Sequence, residues 1–236
     1  FETNIRGTYN LLEAIRLNKD TIESAIFAST DKAYGSYPSD KMPYKENYPL
    51  IPKYPYDTSK ACSDMLAQSY ANEVYKLPIV ITRFSNIYGP GQLNFSALIP
   101  DSVTSALGYS EFIPRGDGSM IRDFIYVDDV VDLYIRICEG IFNKPANLSG
   151  EIFNAGTNSP ISVKEVLKKV YTYLNNKNDL KKILTRMKNA HSIGEIQCQY
   201  MDYEKVHNHF NWSPHHSFDE GLEKTIEWYK RWNSSK

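Results

Sequence analysis

The sequence predicts an α/β protein in which helices cover a parallel sheet and a smaller mixed α/β lobe follows. Three observations predict it: a helix-period stretch at the start, two short apolar runs rich in β-branched residues, and a longer helix-period stretch between those runs. Strand, helix and strand in that order require a crossover, which places the strands side by side in parallel.

In "ETNIRGTYNLLEAIRLN", Ile5, Tyr9, Leu12 and Ile15 recur at helical spacing, and Leu11 beside Leu12 widens the apolar face. Residues 24–28 read as a short buried strand. A loop rich in Pro, Tyr and Gly follows until Asp57 opens a helix that runs to about Tyr75. "LPIVITR" reads as a second buried strand, β-branched and with a proline at its entrance. Downstream, "NFSALIPDSVTSALG" is expected to be helical, and "EFIPRGDGSMIRDFIYVDD" to hold two short strands around a glycine-rich turn. Asp128 or Asp129 is placed to cap a helix reaching about Glu139. "EIFNAG" reads as a strand, Ser162 as the cap of another helix, and "SFDEGLEKTIEWYKRW" as a terminal amphipathic helix. Residues 1–90 therefore form one region and residues 91–236 mainly a second, with about 120–160 returning to the first sheet.

Bulk composition removes several function classes. A net charge of −1 gives no electrostatic reason to expect nucleic acid or an anionic membrane as partner. No apolar run approaches the roughly 18 residues needed to span a bilayer. Cys62, Cys138 and Cys198 are odd in number and widely spaced, which favours a reducing cytoplasm over a disulfide framework. His207, His209, His215 and His216 crowd one short region that no companion acidic or cysteine pattern frames, so surface or capping histidines are expected and a metal site is not.

The residues that carry chemistry lie near the two strands. "STDKAYG" places Thr30, Asp31 and Lys32 at a strand end, and "YPYDTSK" places Tyr56 four residues before Lys60. That spacing puts the phenol and the ammonium near one helix face, where the cation stabilises a phenolate and lowers its pKa. A solvent-facing pair has the same spacing, so the order of the motifs matters more than the pair. A strand-end hydroxyl followed by YxxxK suits removal of a proton from an alcohol while hydride leaves its carbon. No side chain accepts hydride, so a nicotinamide is needed.

Thr30, Tyr56 and Lys60, with "NIRGTYNLLEA" before them and "RFSNIYGPG" after, resemble the extended short-chain dehydrogenase/reductases that act on nucleotide sugars. The likeness extends through "GDGSMIRDFIYVDDVV" and "FNWSPHHSFDEGLEKTIEWY". Within that family the sequence is most similar to nucleoside-diphosphate-hexose 4,6-dehydratases, particularly the CDP-glucose type. The resemblance implies the C-terminal part of a Rossmann-like NAD-binding sheet, a nucleotide-sugar-binding lobe, and a homodimer built on the helix at Asp57 and its predecessor. It implies Tyr56 and Lys60 at both substrate and cofactor, and Asn86, Asn94, Leu98 and Arg122 at the nucleotide sugar. Arg122 suits the diphosphate, and Arg115 is a second candidate. Members of the family hold NAD on a glycine-rich turn after the first strand. No GxxGxxG occurs here, so that turn is expected upstream of Phe1.

The resemblance also explains the Thr-Asp-Lys triplet. A dehydratase must expel the C6 hydroxyl, for which Asp31 with a raised pKa is an acid. Where dTDP-glucose dehydratases resemble Thr-Asp-Glu, Lys32 stands here, either to take the C5 proton or to stabilise an enolate. A similar Asp-Lys pair occurs in sugar dehydratases that invert C5. A 4-epimerase, which needs no such acid, and a non-catalytic nucleotide-sugar-binding fragment are the alternatives.

Overall fold

The computed structural model describes residues 1–72, 74–143, 148–190 and 194–234. A turn of π-helix, Glu2–Arg6, leads into α1 (Gly7–Leu17), β1 (Ala25–Thr30) and α2 (Pro55–Ala71). Next come β2 (Ile79–Phe84), β3 (Asn86–Tyr88), α3 (Leu98–Ala106), β4 (Ile121–Arg122), β5 (Phe124–Tyr126), α4 (Val127–Asn143) and β6 (Ile152–Ala155). The chain continues through β7 (Ile161–Ser162), α5 (Val163–Tyr173), α6 (Lys177–Met187), α7 (Glu204–Phe210) and α8 (Phe218–Ser234).

All six residues of β2 are buried, as a β-branched strand covered on both faces requires. It pairs in parallel with β1, Thr30 opposite Phe84, and with β6, Phe84 opposite Ala155. On one face Leu12 and Ile15 of α1 and Ala67 and Tyr70 of α2 pack with Ile79 and Ile81. On the other, Leu133 and Ile137 of α4 and Trp212 pack with Val80, Phe84 and Phe153. Each such aliphatic or aromatic side chain contributes about 1.5–3 kcal/mol by leaving water. A separate core joins α3, α5, α6 and α8 through Val103, Val170, Ile183 and Ile226, with β3 and β5 at its edge.

Beneath the strand ends, the Arg83 guanidinium donates to both oxygens of Asp64, at 2.9 and 2.8 Å, with both residues buried. The same guanidinium lies 4.6 Å above the Tyr34 ring, and the Tyr34 hydroxyl donates to Asn154 Oδ1 at 2.7 Å. These contacts fix β2, α2, β6 and the turn after β1 to one another. At that turn only glycine fits position 35: its φ is +77°, and a Cβ would stand 2.2 Å from the Ile51 carbonyl oxygen.

The structure departs from the sequence expectations at three places. Helix α2 begins at Pro55, not Asp57, because proline suits a first turn, and it stops at Ala71. Residues 111–120 form no strand; both short strands follow the glycine-rich turn and are split at Asp123. Asp123 breaks the alternation by turning its buried carboxylate to accept the Thr157 N–H at 2.9 Å and the Thr157 hydroxyl. Finally, α4 starts at Val127, ahead of both candidate caps. Asp129 instead accepts the backbone N–H groups of His215 and His216, tying the segment before α8 to the sheet region. Ser162 does cap α5, in a reciprocal capping box with Glu165.

Candidate active site

Parallel strands present their carboxyl ends as a crevice. Here Ala28–Thr30 of β1 and Phe84–Asn86, from the last residue of β2 to the first of β3, line one part of a cleft of about 530 Å³. The start of α3 and residues 112–116 line another. Thr30, Asp31, Lys32, Tyr56, Lys60, Asn86, Leu98, Arg115 and Arg122 all line it, although they are scattered over the sequence. Asn94 does not. Its side-chain oxygen accepts the Ser96 N–H at 3.2 Å and the Ser96 hydroxyl at 2.6 Å, closing a local turn ahead of α3.

The Thr-Asp-Lys triplet forms a helical turn, and its geometry follows from Thr30. The Thr30 hydroxyl oxygen accepts the Lys32 N–H at 3.4 Å, while the hydroxyl donates to Asp31 Oδ1 at 3.1 Å. Asp31 is 3% exposed and its Oδ2 has no partner. Burial pushes its carboxyl up to about 6, against the opposing pull of Lys32, the Thr30 hydrogen bond and Arg122. Asp31 therefore keeps a proton far closer to neutrality than an exposed aspartate.

Tyr56 lies in the first turn of α2 with its side chain 55% exposed. The expected lowering of its pKa by Lys60 is not found. Burial raises it, and the carboxylates of Asp31 and Asp57 raise it further. The reason lies in the lysine, whose ammonium donates to the Ala28 carbonyl at 3.2 Å and stands 5.8 Å from the Phe27 ring centroid. Burial lowers the Lys60 pKa in turn. Spacing brought the two residues to one cleft without bringing the cation onto the phenol.

Arg122, on the same cleft, is buried, and its NH1 donates to the Ile121 carbonyl at 2.8 Å. Its NH2 meets Glu195 Oε2 at 3.1 Å, and Lys32 Nζ is 3.7 Å from the same oxygen. The Asn86 amide donates to the Asp123 carbonyl at 3.0 Å, holding its side chain along the cleft wall. Helix α3 starts without a side-chain cap, and Leu98, Ile99 and Asp101 of its first turn line the cleft. Arg115 is exposed at the rim.

Sequence reasoning missed Glu195 and the buried Asp57. Glu195 belongs to no motif and reaches the cleft only through the fold. Asp57 carried a signal, its place beside Tyr56, but was read only as a helix start. The histidines have local partners: His207 and His209 donate through Nδ1 to the carbonyls of Trp212 and Lys205, and His216 Nδ1 lies 2.9 Å from Asp129 Oδ1. Among the described residues, no three metal-ligating side chains converge. Nor, among them, is any helix long and apolar enough to cross a membrane.

Residues 1–225 match the family described as GDP-mannose 4,6 dehydratase. The human dTDP-D-glucose 4,6-dehydratase is 33% identical over 228 residues, which cover 96% of this chain and 61% of that protein. This chain thus spans about three-fifths of that relative's length. The dTDP-glucose 4,6-dehydratase 1 of Escherichia coli K12 is 32% identical, over 97% of this chain and 66% of that protein. Among solved structures, the dTDP-glucose 4,6-dehydratase of Bacillus anthracis in complex with NAD superimposes with a TM-score of 0.81 at 33% identity. That match covers 98% of this chain and 68% of the other. The UDP-glucose 4-epimerase of Thermotoga maritima with UDP-glucose gives 0.78 at 29% identity, over 98% of this chain and 71% of the other.

Proposed function

Because the chain belongs to the GDP-mannose 4,6-dehydratase family, we propose that it carries the catalytic and sugar-binding residues of an NAD-dependent nucleotide-sugar 4,6-dehydratase. One observation carries the reading: a buried carboxyl with a free oxygen, ready to hold a proton near pH 6, beside a hydroxyl and an amine in one cleft. Epimerisation at C4 needs no such acid; expulsion of a C6 hydroxyl does. We divide the chain in the same spirit, residues 1–90 with the cofactor and residues 91–236 mainly with the sugar nucleotide.

The residues present fit the nicotinamide end of NAD. The Tyr56 side chain and Lys60 flank the strand ends, and the Ser85 hydroxyl is buried there without a partner. The phosphate-cradling turn has no counterpart in this sequence. NAD, when bound, would supply the hydride acceptor for C4 and the hydride donor for C6. Tyr56 takes the C4 hydroxyl proton, with Thr30 orienting that oxygen and Lys60 moving from the Ala28 carbonyl to stabilise the phenolate. The resulting ketone acidifies C5–H, whose proton Lys32 takes as a neutral amine, the ammonium so formed then stabilising the enolate. Asp31 gives its proton to the departing C6 hydroxyl, and water leaves. Lys32 gives the proton back to C5, so that with the hydride NAD would supply at C6 the product is a 4-keto-6-deoxy sugar and the substrate loses one water.

Arg122, the start of α3 and Asn86 are assigned to the diphosphate, with Arg115 at the rim and Leu98 on the wall. A CDP-glucose preference is part of the proposal; its support is Lys32, where dTDP-type sequences resemble glutamate. Exposed apolar residues on α1 and α2, Tyr9, Leu11 and Met65, support a homodimer through those helices. The free cysteines support a cytoplasmic location. Incubating the protein with NAD and CDP-, dTDP- or UDP-glucose, with mass spectrometry of the sugar, tests the reaction. Loss of water with one of them is expected; unchanged mass with a C4 epimer by NMR moves the assignment to an epimerase.

A further inference from the structure

Glu195 has no part in the reaction just described, yet it stands on two of that reaction's cations. Its place is set by backbone pairing a few residues on. The Ile121 N–H donates to the Gln197 carbonyl at 2.9 Å, and the Gln199 N–H to the Ile121 carbonyl at 3.1 Å. The segment carrying Glu195 thus runs beside the strand carrying Arg122. One carboxylate oxygen, Oε2, meets Arg122 at 3.1 Å and Lys32 at 3.7 Å.

The occupancy of the guanidinium makes this contact consequential. NH1 of Arg122 donates to the Ile121 carbonyl, and NH2 serves Glu195 with the Met120 sulfur 3.6 Å away. The NH2 arm of the end-on fork is therefore already engaged, so a phosphate gains a bidentate grip there only by taking the place of Glu195. A buried guanidinium close to a lysine also needs a counter-ion, since two unpaired cations at this depth repel each other. Asp31 answers that need poorly, because burial favours its neutral form. Glu195 answers it well: its side chain is 37% exposed, so it returns to water at little cost when another anion arrives.

We propose that Glu195 is a resident anion in the diphosphate subsite, holding Arg122 and Lys32 in place until a phosphate oxygen of the nucleotide sugar replaces it. This assignment rests on the nucleotide-sugar reading above. The exchange swaps one anion for another, so Arg122 is never left bare. Lys32 also loses its carboxylate partner at the moment substrate arrives, coupling occupation of the diphosphate subsite to the freedom of the amine beside the sugar. Glu195 is accordingly a positioning residue that also sets affinity.

Titration calorimetry with inorganic pyrophosphate, a diphosphate without base or sugar, tests the exchange on the intact protein. Glu195→Gln removes the competing charge in the same shape and is expected to bind pyrophosphate roughly tenfold more tightly at low salt. Glu195→Asp keeps the charge on a shorter arm and is expected to fall between. Adding Arg122→Gln to Glu195→Gln is expected to abolish the gain. A merely structural Glu195 predicts weaker binding. Equal or weaker binding by Glu195→Gln, or no binding by either protein, overturns the proposal. Tighter binding by the variant without turnover of any nucleotide sugar by wild type supports the exchange and counts against the dehydratase. Equal binding with normal wild-type turnover overturns the exchange alone.

Discussion

Replacing Asp31 by Asn removes one titration from the folded protein, and the structure gives its size. The carboxyl takes its proton at about 6 in the fold against an ordinary 3.8, because burial penalises the charged form. At about 1.4 kcal/mol per pH unit, the fold favours the protonated carboxyl by about 3 kcal/mol. A value raised by folding contributes stability that is present below the unfolded pKa and lost as pH rises towards the folded one. Wild type should therefore lose about 3 kcal/mol relative to Asp31→Asn between roughly pH 3.5 and 7.5, and little more above that range. Urea unfolding of both proteins across this range, followed by tryptophan fluorescence, reads the difference. Comparing pH values cancels any fixed cost of seating the Asn amide. Two stability curves that stay parallel from acid to neutral pH would refute the assignment of a buried, proton-retaining Asp31.

Two further outcomes follow from the same geometry. Tyr56→Phe, which removes the base but leaves the ring, should lower kcat by roughly a hundredfold or more. Its KM for the nucleotide sugar should change little, because phenylalanine keeps the ring and Tyr56 is not assigned to the diphosphate; a rise in KM with normal kcat in steady-state assays contradicts the role. Asp64→Asn leaves the Arg83 guanidinium buried without its carboxylate and should cost about 3–5 kcal/mol in urea denaturation. A loss under about 1 kcal/mol would show that the pair does not hold β2 to α2.

The elements that read clearly from the sequence were those whose signal is local. β2 begins as a β-branched apolar run with a proline at its entrance, Ser162 with Glu165 spells a capping box, and Tyr56–Lys60 sits at helical spacing; each needs only a few neighbours to be recognised. The parallel sheet and the cleft residues followed from the order of those pieces and from family resemblance. What did not read clearly depends on contacts between distant segments. Asp123 splits a strand because Thr157 lies beside it, and Asp129 serves the backbone at 215–216 instead of capping α4. Lys60 turns to the Ala28 carbonyl, a partner that spacing within one helix cannot reveal. Glu195 carries no motif at all and gains meaning only when the fold sets it on Arg122 and Lys32.

The most direct test of the central claim follows the hydrogen at C4. A nucleotide-glucose deuterated at C4 is incubated with the protein and unlabelled NAD, and the product is examined by NMR. The proposed chemistry predicts a 4-keto-6-deoxy sugar carrying that deuterium on C6, formed much more slowly by Asp31→Asn. Deuterium retained at C4 in a sugar that still has its C6 hydroxyl would contradict dehydration and leave Asp31 without the acid's role.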